Sequence, residues 1–228
     1  MVFCYSFSVF ASLYHSLITG IVERRAHLMP EQTVKDIKKE IYLIMHKAQE
    51  MLELTEDGFT KNKISALDKA DDLAKEIHTK EDLLTGTLAK MASVNNEARA
   101  ILTVPSHIEK IASSIKRITE NSRARIKEGQ LFSDKAILET GKLFTKAKDV
   151  LKKAGEATVT GAQATVESTI AESDAIERMA NDFATAHEDR LVTGECSPKS
   201  SSTYLCILYA FEDMGGHIKD AVKKISGK

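Results

Sequence analysis

The stretch AHEDRLVTGECSPKSSSTYLCILYAFEDMGGHIKDAVKKI, residues 186–225, decides the fold. Within it Tyr204, Leu208, Phe211, Gly215, Ile218, Val222 and Ile225 recur at alternating steps of four and three, the mark of a helix with one long buried seam. Ser197-Pro198 and Ser200 to Thr203 offer turn and N-cap chemistry just before that helix, and Gly227 stands just after it. The chain ahead brings Ile176, Ala180, Phe183, His187 and Leu191 to one helical face, and Gly194 ends that run. Two antiparallel helices joined by a short polar turn are the minimum unit.

Composition extends this reading to the whole chain. The 228 residues hold only 3 Pro, 11 Gly and no Trp, and they are rich in Ala, Lys, Glu and Leu, which indicates an all-α protein of one or two domains. The 32 basic side chains are balanced by 33 acidic ones, so no overall field draws in DNA, RNA or an anionic surface. Nucleic acid is therefore not an expected partner. Cys4, Cys196 and Cys206 are odd in number and form no CxxC pair, which disfavours a structural zinc or a disulfide framework and suits a reducing cytoplasm.

Residues 1–22 carry no formal charge and are closed by Glu23-Arg24-Arg25. As a helix they would be roughly 33 Å long, enough to cross a bilayer. Ser8, Ser12, His15, Ser16 and Thr19 share one face, so the segment could span, lie in the interface or dock on the protein itself. Contact with a membrane through residues 1–22 would place the rest of the chain at its inner, cytoplasmic face.

Soluble amphipathic helices follow. Val34, Ile37, Ile41, Ile44, Ala48 and Met51 predict a first helix to about Leu54, broken by Glu56-Asp57-Gly58. A second runs from about Lys61 to Ala92 with Leu67, Leu73, Ile77, Leu84 and Leu88 inward. A third carries Ile101, Val104, Ile108, Ile111, Ile115 and Ile118, with Pro105 inside it predicting a kink, and ends at Glu128-Gly129-Gln130. The fourth, capped by Ser133-Asp134, uses Ile137, Phe144, Ala147 and Leu151. The small residues from Thr158 to Thr165 bend the chain into a fifth helix.

Lys47-Ala48-Gln49-Glu50-Met51-Leu52 returns as Lys146-Ala147-Lys148-Asp149-Val150-Leu151, an offset of 99. Ile108-Glu109-x-Ile111-x-x-x-Ile115 returns as Phe211-Glu212-x-Met214-x-x-x-Ile218, an offset of 103. Two repeated antiparallel three-helix bundles, 30–129 and 130–228, account for both, behind the apolar segment 1–29.

HEDRLVTGEC followed by FEDMGGHIKDAV resembles the end of a PhoU-like domain, a family of phosphate-signalling regulators that also forms the cytoplasmic tail of sodium/phosphate cotransporters. The family's helix core is Leu-Glu-Arg-Ile-Gly-Asp-His. Phe211, Glu212, Met214, Gly215 and His217 fit it, whereas Asp213 replaces the basic residue and Gly216 the acidic one. FSDKAILETGKLF, residues 132–144, resembles the cotransporter-tail version. The resemblance covers nearly everything after Met29. It implies a duplicated helical bundle, a regulatory or accessory role in phosphate transport or sensing, and a membrane phosphate transporter or its sensor kinase as partner. It leaves open whether the chain forms a homo-oligomer.

The family also implies multinuclear metal clusters held by E/D-x-x-x-D motifs, since residues four apart share a helix face. Glu109 and Glu212 match the first carboxylate, but Ser113 and Gly216 stand where the second belongs. The expectation is thus weak metal binding or none, with Glu109, Glu212, His187 and His217 the candidate ligands. Packed antiparallel, His187 and His217 could converge near Glu212 as a metal pair or a pH-responsive hydrogen-bonded cluster, but a satisfied, partly buried histidine is the preferred reading of each. Asp68, Asp72 and Glu76 form a stripe that Lys69, Lys75 and Lys80 can neutralise. None of the seven histidines has an acid three residues before it, so the ligand pair of di-iron bundles is missing. No H-E-x-x-H, Walker A, G-x-G-x-x-G or G-x-S-x-G motif occurs, and no nucleophile stands beside a base. A catalyst is not expected. A membrane-tethered helical interaction protein without a phosphate role is the alternative reading.

Overall fold

In the computed structural model residues 33–196 and 198–226 are described. They form α1 (Val34–Lys61), α2 (Ile64–Met91), the short α3 (Asn96–Ala100), α4 (Val104–Lys127), α5 (Asp134–Thr160), α6 (Gln163–Val192) and α7 (Pro198–Ile225). Residues 1–29 and Gly227 lie outside the described residues. Among the described residues no helix is long and apolar enough to cross a membrane.

Helices α1, α2 and α4 pack on one another, as do α5, α6 and α7, and the two sets meet along α1 against α5 and α4 against α7. Exchanging α1 with α5, α2 with α6 and α4 with α7 maps these six-helix packings onto one another, as two repeated antiparallel three-helix bundles require. The proposed boundary at residue 129 falls in the turn between α4 and α5. Arg117 pairs with Asp213, and His107 lies against His217, so α4 and α7 run antiparallel.

The seams read from the sequence are the buried ones. Ile37, Ile41, Ile44, Ala48 and Met51 of α1, Ile108, Ile111, Ile115 and Ile118 of α4, and Leu208, Phe211, Ile218 and Val222 of α7 are all buried. Removing that much aliphatic surface from water is the main source of stability. Aromatic rings run across the junction: Phe59 meets Phe132 and Phe144 in tilted contacts at 6.1 and 5.7 Å, and Phe144 meets Phe211 edge-on at 5.0 Å. The guanidinium of Arg125 lies 4.5 Å from the Phe59 ring centroid, a buried cation–π contact.

Five local expectations are corrected. Helix α1 does not stop at Glu56-Asp57-Gly58 but continues to Lys61. A Cβ on Gly58 would stand 2.3 Å from Leu67, so this glycine lets α2 approach rather than ending α1. The reversal comes at Asn62, in the left-handed region at φ 54°. Pro105 does not kink a helix: it occupies the first turn of α4, where no intrahelical N–H is needed, and Asn95 caps the separate α3. Ile137 is 36% exposed rather than core, because Ala136 and Thr140 take the inward positions. Helix α7 begins at Pro198, so Ser200 to Thr203 lie within its first turns and not before it. Finally, the fourth-to-fifth bend is confined to Gly161, at φ 60°, while Gly155 stays inside α5 against Tyr42.

Candidate functional site

The positions singled out by the repeat occupy matching places. Glu109, on α4, has a carboxylate oxygen 3.5 Å from Nδ1 of His78 on α2. Glu212, on α7, accepts a 3.0 Å hydrogen bond from the side-chain amide of Asn181 on α6. His78 and Asn181 are themselves 103 apart, the offset already found between Glu109 and Glu212. The same offset relates Asp71 to Asp174 and Lys116 to Lys219. The offset therefore extends from the helix seams to the polar groups between α2 and α4 and between α6 and α7.

Around Glu109 the first repeat opens a cavity of about 610 Å³, lined in part by Asp71, His78, Ser113, Lys116, Glu120 and Arg123. Arg123 donates to Asp68 and Asp71, both at 2.6 Å. One oxygen each of Asp71 and Glu109 is buried without a hydrogen-bond partner. Burial pushes the Glu109 carboxyl above its usual range, and His78 opposes that shift. On the outer rim His78, Glu81 and Asp82 lie within ligand reach of one another.

In the second repeat a cation occupies the corresponding place. Lys219 places its ammonium 2.9 Å from Asp174 and 2.7 Å from Glu177, between the two acids. Gly216, the position of the missing family carboxylate, faces Glu177 instead, whose Oε1 would lie 3.8 Å from an added Cβ. A multinuclear cluster needs several carboxylates converging without internal cations. Here Arg123 holds Asp68 and Asp71, Lys219 holds Asp174 and Glu177, and Ser113 and Gly216 add no carboxylate. The donor sets around Glu109 and Glu212 do not fit such a cluster.

His187 and His217 do not converge. Asn181–Glu212 and Asp174–Lys219 fix the antiparallel register of α6 on α7, and it puts His187 against Tyr204, ring centroids 4.8 Å apart. His217 lies thirteen residues beyond Tyr204, about 20 Å along the axis at about 1.5 Å per residue. Its neighbour is His107 of α4, at 6.4 Å between centroids. Both ring nitrogens of the buried His187 lack a protein partner, and burial lowers its pKa. Beside it Arg190 and Glu139 form a buried two-armed ion pair, and the Tyr204 hydroxyl donates to the same carboxylate at 2.5 Å. Burial and that carboxylate push the Tyr204 phenol upward.

Sequence reading missed two groupings: the His78, Glu81 and Asp82 rim, and a cluster shared by α4 and α7. His217 and Asp220, three apart on α7, share a face, and His107 joins them from α4; one ligand atom from each lies within 4.8 Å of the others. The sequence signals are the spacings His78-x-x-Glu81 and His217-x-x-Asp220, in which the acid follows the histidine. The histidine from α4 had no sequence signal at all. Cys196 and Cys206 are free thiols, the first half-buried and the second exposed.

No protein-family model matches the sequence, and no curated protein does. Solved structures do. The phosphate transport system regulatory protein PhoU from Streptococcus pneumoniae aligns at TM-score 0.73 and 11% identity, over 83% of this chain and 91% of its own. PhoU from Pseudomonas aeruginosa aligns at TM-score 0.74 and 11% identity, over 84% and 94%. A PhoU-like phosphate regulatory protein from Shewanella oneidensis MR-1 aligns at TM-score 0.57 and 16% identity, over 83% and 94%. At such identities the likeness concerns architecture, and it spans both repeats: the chain has the PhoU-like fold.

Proposed function

We propose that this chain is a regulatory or accessory protein of phosphate transport or phosphate sensing, acting through contacts between its helix faces and a membrane phosphate transporter or its sensor kinase. The observation that carries this reading is coverage. Alignment over 91–94% of solved PhoU structures leaves little of those regulators without a counterpart here. Fold alone does not carry function, and the residue-level support is the retained Phe211-Glu212-x-Met214-Gly215 seam. The proposed role is non-catalytic, in keeping with a sequence that carries no H-E-x-x-H, Walker A, G-x-G-x-x-G or G-x-S-x-G motif. The cations within both acidic faces favour a mechanism without a multinuclear metal at Glu109 or Glu212. Contact with a membrane partner agrees with a cytoplasmic place near the inner face of the membrane.

Two measurements test the proposal: co-purification of the tagged full chain from its own cells, and phosphate uptake after deletion of its gene. Enrichment of a phosphate transporter or sensor kinase, together with altered uptake, is expected. Unchanged uptake and capture of neither would point to the helical interaction protein without a phosphate role.

A further inference from the structure

Where α4 of the first repeat crosses α7 of the second, His107, His217 and Asp220 gather, all half-buried. Both helices are held rigidly at this point, since the neighbouring Ile108, Ile218 and Val222 are buried. Asp220 makes no ion pair among the described residues, although Lys110 and Lys224 are close enough to act on His107. The Nδ1 of His107 is buried without a hydrogen-bond partner. A carboxylate left unpaired beside two imidazoles in a half-buried crossing carries a desolvation cost that a shared cation would offset.

From this geometry we infer that His107, His217 and Asp220 form a mononuclear site for a divalent transition-metal ion, which ties the first repeat to the second. The donor set is two imidazoles and one carboxylate, which suits zinc, cobalt or nickel and leaves a coordination position for water. Ligand atoms within 4.8 Å of one another need only side-chain rotation to close on an ion with metal–nitrogen bonds of about 2.0–2.1 Å. Burial, then the charge of Lys110, lowers the His217 pKa, and burial does the same for His107, which favours the neutral imidazole that a metal ion requires. The nearby lysines disfavour a hard cation held by charge alone, such as magnesium, and leave coordinate bonding to nitrogen as the source of affinity. This site is separate from Glu109 and Glu212, and the inference does not depend on the phosphate-related reading.

The test uses the full chain with its tag removed, stripped with a chelator and titrated with zinc by calorimetry, then with cobalt by visible absorption. One equivalent of zinc should bind and raise the melting temperature, and cobalt should show the d–d bands of a low-coordinate nitrogen–oxygen site. His107→Ala and His217→Ala should each abolish the one-equivalent step, and Asp220→Asn should weaken it. His78→Ala, on the other acidic face, should leave it intact. Circular dichroism checks that each variant is folded, and Asp220→Asn, nearly isosteric, covers the case in which a histidine variant is not. Absence of a one-equivalent step in the parent protein would overturn the inference. So would zinc binding that is unchanged in folded His107→Ala and His217→Ala.

Discussion

Arg190 and Glu139 face each other with both arms engaged, Nη1 to Oε1 at 3.1 Å and Nη2 to Oε2 at 2.8 Å, at 7% and 5% exposure. The pair joins α6 to α5, and Tyr204 closes it from α7, so one carboxylate fastens all three helices of the second repeat. Its value lies in completeness, since a buried ion pair gains little over apolar packing but costs a great deal when half of it is removed. Glu139→Ala should therefore destabilise by about 3–5 kcal/mol, leaving Arg190 charged and unpaired. Tyr204→Phe should cost only about 1–3 kcal/mol. Urea unfolding of the two variants checks the order. Equal losses would mean the carboxylate does not hold Arg190.

Gly215 and Gly216 are adjacent yet should respond oppositely. A Cβ on Gly215 would meet the Ser173 carbonyl oxygen at 3.1 Å and Ile176 Cβ at 3.3 Å, where α6 backbone and core leave no room. Gly215→Leu should overpack this contact and cost about 1–3 kcal/mol. At Gly216 only Glu177 Oε1 comes within reach, at 3.8 Å, an ordinary contact. Gly216→Ala should stabilise α7 by roughly 0.5–1 kcal/mol through helix propensity. Melting temperatures moving in opposite directions are the expected result.

These contrasts show what a single sequence makes legible. Helix seams follow from periodicity within one element, so Ile108 to Ile118 and Leu208 to Val222 were readable as buried. The repeat was readable as well, because offsets of 99 and 103 are properties of the chain alone. Gly58 and Pro105 were misread because each can break a helix, and only the neighbouring element decides: Leu67 fills the space over Gly58, and Pro105 falls in a first turn. Register between helices has no local signal. The pairing of His217 with His107 instead of His187 depends on how far α6 and α4 slide along α7. Apolar seams and the polar pairs that flank them set that register together, and the acids of the Asp68, Asp72 and Glu76 stripe are divided among different partners. Asp68 goes to Arg123 and Glu76 to Lys47, while only Asp72 pairs locally, with Lys75.

Glu172 gives a pH-dependent test. Lys153 and Lys146 hydrogen-bond its carboxylate, Ser168 adds a third donor, and together they lower its pKa to about 2. A folded value below the unfolded one, near 4.3, means the group contributes stability above the unfolded pKa and loses it as pH falls toward the folded one. The advantage of the parent over Glu172→Gln should hold steady above about pH 5 and shrink between there and pH 2. Denaturant midpoints measured across that range check the sign. A gap independent of pH would show that the lysines do not act on this carboxylate.

Lys219 shares its ammonium between Asp174 and Glu177, while its counterpart Lys116 lines an open cavity. The side chain is only 20% exposed, so its charge is partly shielded from water, and its two partners raise its pKa. Lys219→Met keeps the aliphatic stem but leaves two acids side by side without a cation. The variant should be less stable near neutral pH, by about 1 kcal/mol given partly exposed partners. For a base whose folded pKa is raised, the stabilisation is fully present below the unfolded value, near 10.4, and is lost as pH rises through the folded one. The gap between parent and variant should accordingly close only in strong alkali. Millimolar calcium should restore part of the lost stability, because it supplies the missing positive charge to oxygen ligands. Thermal melts of both proteins at pH 7 and above pH 10.5, with and without calcium, check all three outcomes. A variant as stable as the parent at pH 7 would mean that the acids of α6 reach water and need no internal cation.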